Sequence, residues 1–204
     1  VLLAHKGQLI VAFALEDALK TDSVKAVQRL KAQGIKVMML TGDNQAAAQR
    51  VAHLVAVDDF AAQLMPEDKL NKIKQLQTQG QVVAMVGDGI NDAPALSQAD
   101  VGIAMGQGTD VAIESADLCL LNSSLHGVAD AIELSYSTMR NIKQNLWGAF
   151  TYNTLGIPIA AGVLFPFTGM LLSPMLAALA MSLSSVTVVA NANRLRWFKT
   201  SARD

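Results

Sequence analysis

Short apolar runs alternate with amphipathic segments through roughly the first two thirds of the chain, and the alternation then gives way to two long apolar stretches. Residues 35–40 predict a strand and residues 44–54 a helix, with a short apolar run at 54–57 next in order. A helix is predicted over 66–79, with Pro66 at its start and Gly80 past its end. Residues 82–86 and 101–104 predict two further strands. Strands alternating with helices specify an α/β fold with a doubly wound parallel sheet, whose ligands bind beyond the carboxyl ends of the strands. Thr41-Gly42-Asp43 and Gly87-Asp88-Gly89 both fall at that edge.

Beyond about residue 138 the pattern changes. From Gln144 through Asn193 there is no Asp, Glu, Lys or Arg. Within that stretch, 145–165 and 170–190 each approach the roughly 20 residues that cross about 30 Å of hydrocarbon. They predict a transmembrane helical hairpin, with residues 166–169 as its turn and Trp147 and Trp197 near the interfaces. Arg140 and Lys143 precede the hairpin, and Arg194, Arg196, Lys199 and Arg203 follow it, which puts both ends in the cytoplasm. A buried hairpin in a soluble core is disfavoured, because ordinary core helices keep a polar face.

The formal net charge of -1 and pI near 6.3 give no argument for a nucleic-acid partner. No internal repeat, low-complexity segment or signal peptide is visible. Cys119, in the apolar run 118–121, reads as a core thiol, and His5, His53 and His126 lack metal-ligand spacing. Gly106-Gln107-Gly108 lacks the third glycine of a dinucleotide loop and reads as a turn.

The chemistry concentrates in residues 82–96, an apolar run that ends in Gly87-Asp88-Gly89-Ile90-Asn91-Asp92-Ala93-Pro94-Ala95-Leu96. The glycines let the backbone turn sharply against a ligand, and Asp88 and Asp92 offer the hard oxygens that Mg2+ prefers. Together with Thr41-Gly42-Asp43-Asn44 and Pro66-Glu67-Asp68-Lys69, in this order and spacing, the run resembles the phosphorylation domain of P-type ATPases, a haloacid-dehalogenase-like fold. The resemblance extends over essentially the whole chain. It implies a Rossmannoid sheet, ATP and Mg2+ as cofactors, and transfer of the γ-phosphoryl group to an aspartate during ion transport. It further implies that Asp88 ligates Mg2+ and that Asp92 holds the loop beside that metal. Asn91 would reach the phosphoryl oxygens, Lys69 would neutralise them, and Thr41, next to Gly42, would donate a hydrogen bond. Asp43 would position nucleotide and metal. Taken alone, Lys69 reads as a solvated helix lysine, and Asp43 and Asp92 also suit helix N-caps.

Tyr152-Asn153 in the first span and Met181-Ser182-Leu183-Ser184-Ser185 in the second match the Tyr-Asn and Met-x-x-Ser-Ser signatures of the copper-exporting branch. A thioether suits Cu(I), whereas Na+, K+ or Ca2+ would call for carboxylates, and the spans carry none. The resemblance therefore implies Cu(I) ligation by Tyr152, Asn153, Met181, Ser184 and Ser185. On helical spacing Met181 and Ser185 share a face. Singly, a membrane methionine usually packs and a serine bonds its own helix or a neighbour.

The family's Asp-Lys-Thr-Gly nucleophile motif and Cys-Pro-Cys motif are not among these residues, and Asp68-Lys69 cannot replace the former because Leu70 and Asn71 follow. The expectation is a C-terminal piece of a longer pump, inactive alone. Residues 1–15 would end the nucleotide domain, 16–137 would form an incomplete phosphorylation domain, 138–199 the hairpin and 200–204 a tail. Expected partners are membrane lipid, the copper ion, a copper chaperone and the N-terminal part of the same polypeptide. The location would be the plasma (inner) membrane, multi-pass, with the soluble domain cytoplasmic. Rival readings are a membrane-anchored phosphatase, which lacks an Asp-x-Asp pair here, a non-catalytic membrane-anchored Cu(I)-binding module, and a pump for Zn2+ or K+.

Overall fold

A computed structural model describes residues 2–6, 8–12, 19–106, 110–169 and 173–200, and the chain divides into two compact units, Val1–Ala129 and Asp130–Asp204. The first unit opens with an antiparallel hairpin of β1 (Leu2–His5) and β2 (Gln8–Ala12). The rest of the segment assigned to the nucleotide domain lies outside the described residues. Helix α1 (Ser23–Ala32) was not predicted; it buries Ala26, Val27 and Leu30, one helical stripe, and ends before Gly34, whose φ of 80° closes the turn.

Next come β3 (Met38–Leu40) and α2 (Gln45–Val55), whose N-cap is Asn44: its side chain accepts the Ala47 amide at 2.9 Å. Asp43 is therefore not the cap. The apolar run at 54–57 belongs to the end of α2 and the turn after it. Val55 continues the buried stripe of Ala48 and Ala52, so the run finishes the helix, Ala56 turns at φ 58°, and β4 (Asp59–Ala61) follows. Then come α3 (Pro66–Thr78), β5 (Ala84–Gly87), a 3-10 turn (Ile90–Asp92), α4 (Ala93–Gln98), β6 (Val101–Met105), α5 (Asp110–Glu114) and β7 (Leu118–Leu120). In the Gly106-Gln107-Gly108 turn only Gly106 is described, at φ 66°.

Among the described residues every strand pairing after the first hairpin is parallel, as short strands separated by helices require. β3 pairs with β4, and β5, β6 and β7 form a second ladder in that order. One core joins the two ladders: Ile73, Met85, Ala95, Leu96 and Ala112 are buried together, with Leu40 of β3 packed against them. Gly102 admits close packing of α4 on β6, since a Cβ there would lie 2.6 Å from the Leu96 carbonyl oxygen. Cys119 is exposed, contrary to the core-thiol expectation, because β7 is the edge of its ladder.

A recurrent device closes the amino ends of the parallel pairs. Asp58, Asp100 and Asp117 each precede a strand, and their carboxylates accept the amides of Val37, Val83 and Gly102 at 2.8 Å in all three cases. Their own amides donate to the carbonyls of the same three residues at 2.8, 3.0 and 2.9 Å. Each clip satisfies backbone groups that the ladder leaves open.

Helix α6 (Leu125–Ala160) starts in the first unit and runs on into the second, which continues through α7 (Phe165–Thr168), α8 (Pro174–Asn193) and a 3-10 turn (Arg194–Trp197). The turn expected at 166–169 is this short helix, ended by Gly169 at φ 67°. The first expected span, 145–165, is helical only to Ala160, so its last residues form a turn and the start of α7. Among the described residues one segment is long and apolar enough to cross a membrane, Met175–Trp197, and none of its apolar window is buried. Residues 170–172, the start of the second expected span, lie outside the described residues, as do 201–204 of the tail.

Candidate functional site

Strand β3 delivers Thr41, and the backbone around it is laced to the loop after β4. The Thr41 amide donates to the Ala61 carbonyl at 3.0 Å, the Leu64 amide to the Thr41 carbonyl at 3.0 Å, and the Gln63 amide to the Asp43 carbonyl at 2.8 Å. Within the loop the Thr41 hydroxyl donates to Asp43 Oδ2 at 2.9 Å and accepts the Asp43 amide at 3.1 Å. Gly42 sits close against Leu64: a Cβ would lie 3.3 Å from its carbonyl oxygen. Thr41 is therefore held by four hydrogen bonds, two through its backbone to the β4 side and two in its tight turn with Asp43.

Strand β5 delivers Gly87 and Asp88. Asp88 is exposed at the strand end, and Asn91 is exposed on the 3-10 turn that follows. Asp92 turns back over the strand end. A Cβ on Gly87 would lie 2.7 Å from both Cβ and Oδ2 of Asp92, so glycine is what leaves room for that carboxylate. Asp92 does not cap α4 with its side chain; its Oδ1 accepts Lys69 Nζ at 2.7 Å, and both side chains are largely shielded from solvent. Lys69 is aimed there by the start of α3. Pro66 opens the helix, and Asp68 Oδ2 accepts the Met65 amide at 2.9 Å, which leaves the adjacent Lys69 free to cross to the loop.

The structure thus brings Lys69 together with Asp92 and Thr41 together with Asp43. Leu40, just before Thr41, and Met85, three residues before Asp88, border one core, so both loops leave carboxyl ends of strands on the same core. Asp88 offers an unencumbered carboxylate and suits Mg2+, which takes one or two carboxylates and completes its shell with phosphate and water. Asp92 suits that role less, because Lys69 occupies one of its oxygens. Among the described residues no group of three or more His, Cys, Asp or Glu could hold a metal on its own.

In the second unit, Tyr152 and Ser184 line one cavity of about 530 Å³ between α6 and α8, which Gly148 and Ala149 keep open. Asn153, Met181 and Ser185 do not line it. Met181 is 66% exposed, and the Ser185 hydroxyl donates to the Met181 carbonyl at 3.3 Å within its own helix.

A parallel α/β layer thus presents Thr41, Asp43 and the glycine-flanked Asp88 at its strand ends, with Lys69 reaching in from the start of α3. Residues 1–100 match the family profile of the haloacid dehalogenase-like hydrolases. The chain is 57% identical over 201 residues to a copper-exporting P-type ATPase of Vibrio cholerae, covering 98% of this chain and 22% of that protein. It is 54% identical to the probable copper-transporting ATPase PacS of Synechococcus elongatus, covering 97% of this chain and 26% of that protein. The crystal structure of a zinc-transporting PIB-type ATPase in its E2.Pi state superposes with a TM-score of 0.80 at 41% identity, covering 95% of this chain and 31% of that one. The chain belongs to the P-type ATPase family, and it spans about a quarter of the length of the curated relatives it matches.

Proposed function

We propose that the chain forms the phosphorylation domain and the closing membrane helices of an ATP-driven pump that exports Cu(I), with the soluble unit in the cytoplasm and the helix pair in the plasma membrane. The observation that carries this reading is the pairing of Lys69 with Asp92 beside the exposed Asp88 at the end of β5. Phosphoryl transfer depends chiefly on positioning and on neutralising the phosphoryl oxygens, and this loop set supplies both.

In this reading Lys69, held by Asp92, meets the phosphoryl charge. Thr41 turns its hydroxyl from Asp43 to a phosphoryl oxygen, Asn91 donates to another, and Asp43 positions the nucleotide. Asp88 would hold Mg2+, which supplies further charge neutralisation when bound. The Asp-Lys-Thr-Gly aspartate would come from elsewhere in the pump, on a strand lying between β3 and β5. In support, β3 pairs only with β4 and β5 only with β6 among the described residues, although both border one core. The chain alone is accordingly expected to form no phosphoenzyme.

For the cargo, copper is favoured by the names of the two relatives and by the soft thioether of Met181 in a stretch, residues 144–193, without a carboxylate. A Zn2+ cargo has the structural neighbour in its favour. The test is phosphoenzyme formation from ATP by the complete pump with Cu(I) or Zn2+ supplied. Stimulation by Cu(I) that is lost in Met181→Ala, with phosphorylation from inorganic phosphate spared, supports the copper reading. Stimulation by Zn2+ alone would replace it.

A further inference from the structure

The carboxyl end of α8 is fastened to α6 by uncharged side chains that the copper reading does not use. Asn141 Nδ2 donates to the Asn191 backbone carbonyl at 2.7 Å, Asn191 Nδ2 to Asn145 Oδ1 at 2.8 Å, and Asn145 Nδ2 to Asn141 Oδ1 at 3.2 Å. Just beyond, Arg194 Nη2 donates to Gln144 Oε1 at 3.1 Å. The three asparagines form a closed ring of donors and acceptors. One member reaches the Asn191 carbonyl in the last turn of α8, which also accepts the Arg194 amide, so the ring adds a second donor there. Asn141 is 4% exposed and is the one buried polar side chain among the described residues, so leaving its amide unpaired would be costly.

The ring stands at a fixed distance from the cavity residues. Tyr152 lies seven residues after Asn145, and Ser184 seven residues before Asn191. Seven residues are two helical turns, about 10 Å, and bring a side chain back to the same face. Asn145 and Asn191 line the same cavity as Tyr152 and Ser184, so on each helix the ring residue and the cavity residue share that face. In an antiparallel pair, slippage of one helix by a single turn would carry Ser184 away from Tyr152.

We propose that Asn141, Asn145 and Asn191 are positioning residues for the cargo site: their ring sets the register of α6 against α8 and so holds Tyr152 and Ser184 opposite each other. The inference rests on the copper-pump reading above. The ring adds to the van der Waals packing between the helices a directional constraint that is met at one register.

The test uses the complete pump and measures the Cu(I) concentration that gives half-maximal phosphoenzyme, beside phosphorylation from inorganic phosphate without copper. Asn191→Leu and Asn145→Leu are each expected to raise the copper requirement about three- to tenfold, the range that interhelical hydrogen bonds in membranes support. The phosphate reaction should be unchanged, and the double variant should match either single one, because one ring is broken once. An unchanged copper requirement, additive effects, or an equal fall in the phosphate reaction would overturn the proposal. If Asn191→Leu does not accumulate, Asn145→Ser is measured, with a smaller rise expected; failure of both to fold would leave only a structural role and refute the proposal. A wild-type pump indifferent to copper would instead overturn the copper reading, and the positioning role with it.

Discussion

Lys69 Nζ lies 2.7 Å from Asp92 Oδ1, with the side chains only 16% and 14% exposed, at the point where β5 ends. The partner aims this shielded side chain at the strand end before any phosphate arrives. Lys69→Met should lower the rate of phosphoenzyme formation in the complete pump by about a hundredfold or more, the size seen when one charge-stabilising donor is lost. The same change should cost the fold about 1–3 kcal/mol, because Asp92 is left largely shielded and without its Lys69 partner. Quenched-flow phosphorylation and urea unfolding measure the two effects separately.

The two glycines of the loop are predicted to behave differently. At Gly87 a Cβ would collide with Asp92 at 2.7 Å, whereas at Gly89 it would meet only the Asn91 nitrogen at 3.9 Å. Gly87→Ala should therefore dislodge Asp92, break its pairing with Lys69 and destabilise the chain by about 1–3 kcal/mol. Gly89→Ala should leave stability within about 0.5 kcal/mol of the wild type. Denaturant midpoints of the two variants, compared side by side, check the contrast.

The strand clips predict an acid dependence. The Lys31 ammonium, helped by the Val37 amide, holds the Asp58 carboxyl below its usual range, and the Val83 amide, then Gln77, does the same for Asp100. A depressed folded-state value means that the unfolded chain binds protons first as pH falls. The clips therefore contribute fully above about pH 4, the unfolded value, and their contribution is lost as pH drops through the lower folded values. Asp100→Asn should lower the melting temperature at pH 7 and narrow the gap to wild type at pH 3. Parallel curves at both pH values would count against the clip.

Much of this arrangement is legible in the sequence, and the failures share a cause. The helix over 66–79 and the loops at Thr41 and Gly87 could be placed because Pro66, Gly80 and the glycines fix local backbone geometry wherever they occur. The run at 54–57 has no element of its own in the sequence, because Val55 suits strand or helix until Ala48 and Ala52 are seen to be its companions on one stripe. Helix α1 has a short buried face, Ala26, Val27 and Leu30, between charged residues, which is a weak periodic signal. The first expected span extends beyond the helix because composition records the lack of charge and not the turn after Ala160. Asp58, Asp100 and Asp117 look like ordinary loop aspartates; their role depends on a neighbouring strand, which no local window contains. The asparagine ring is hidden for the same reason, since Asn191 meets Asn145 only after the chain has turned back.

The central claim is that the loop ending β5 serves phosphoryl transfer in a pump. The measurement that tests it most directly is Mg2+-dependent phosphoenzyme formation from ATP by the complete pump, wild type against Asp88→Asn, with near-identical circular dichroism as the control for folding. The account predicts labelling in the wild type and its loss in the variant. Undiminished labelling of Asp88→Asn would contradict it.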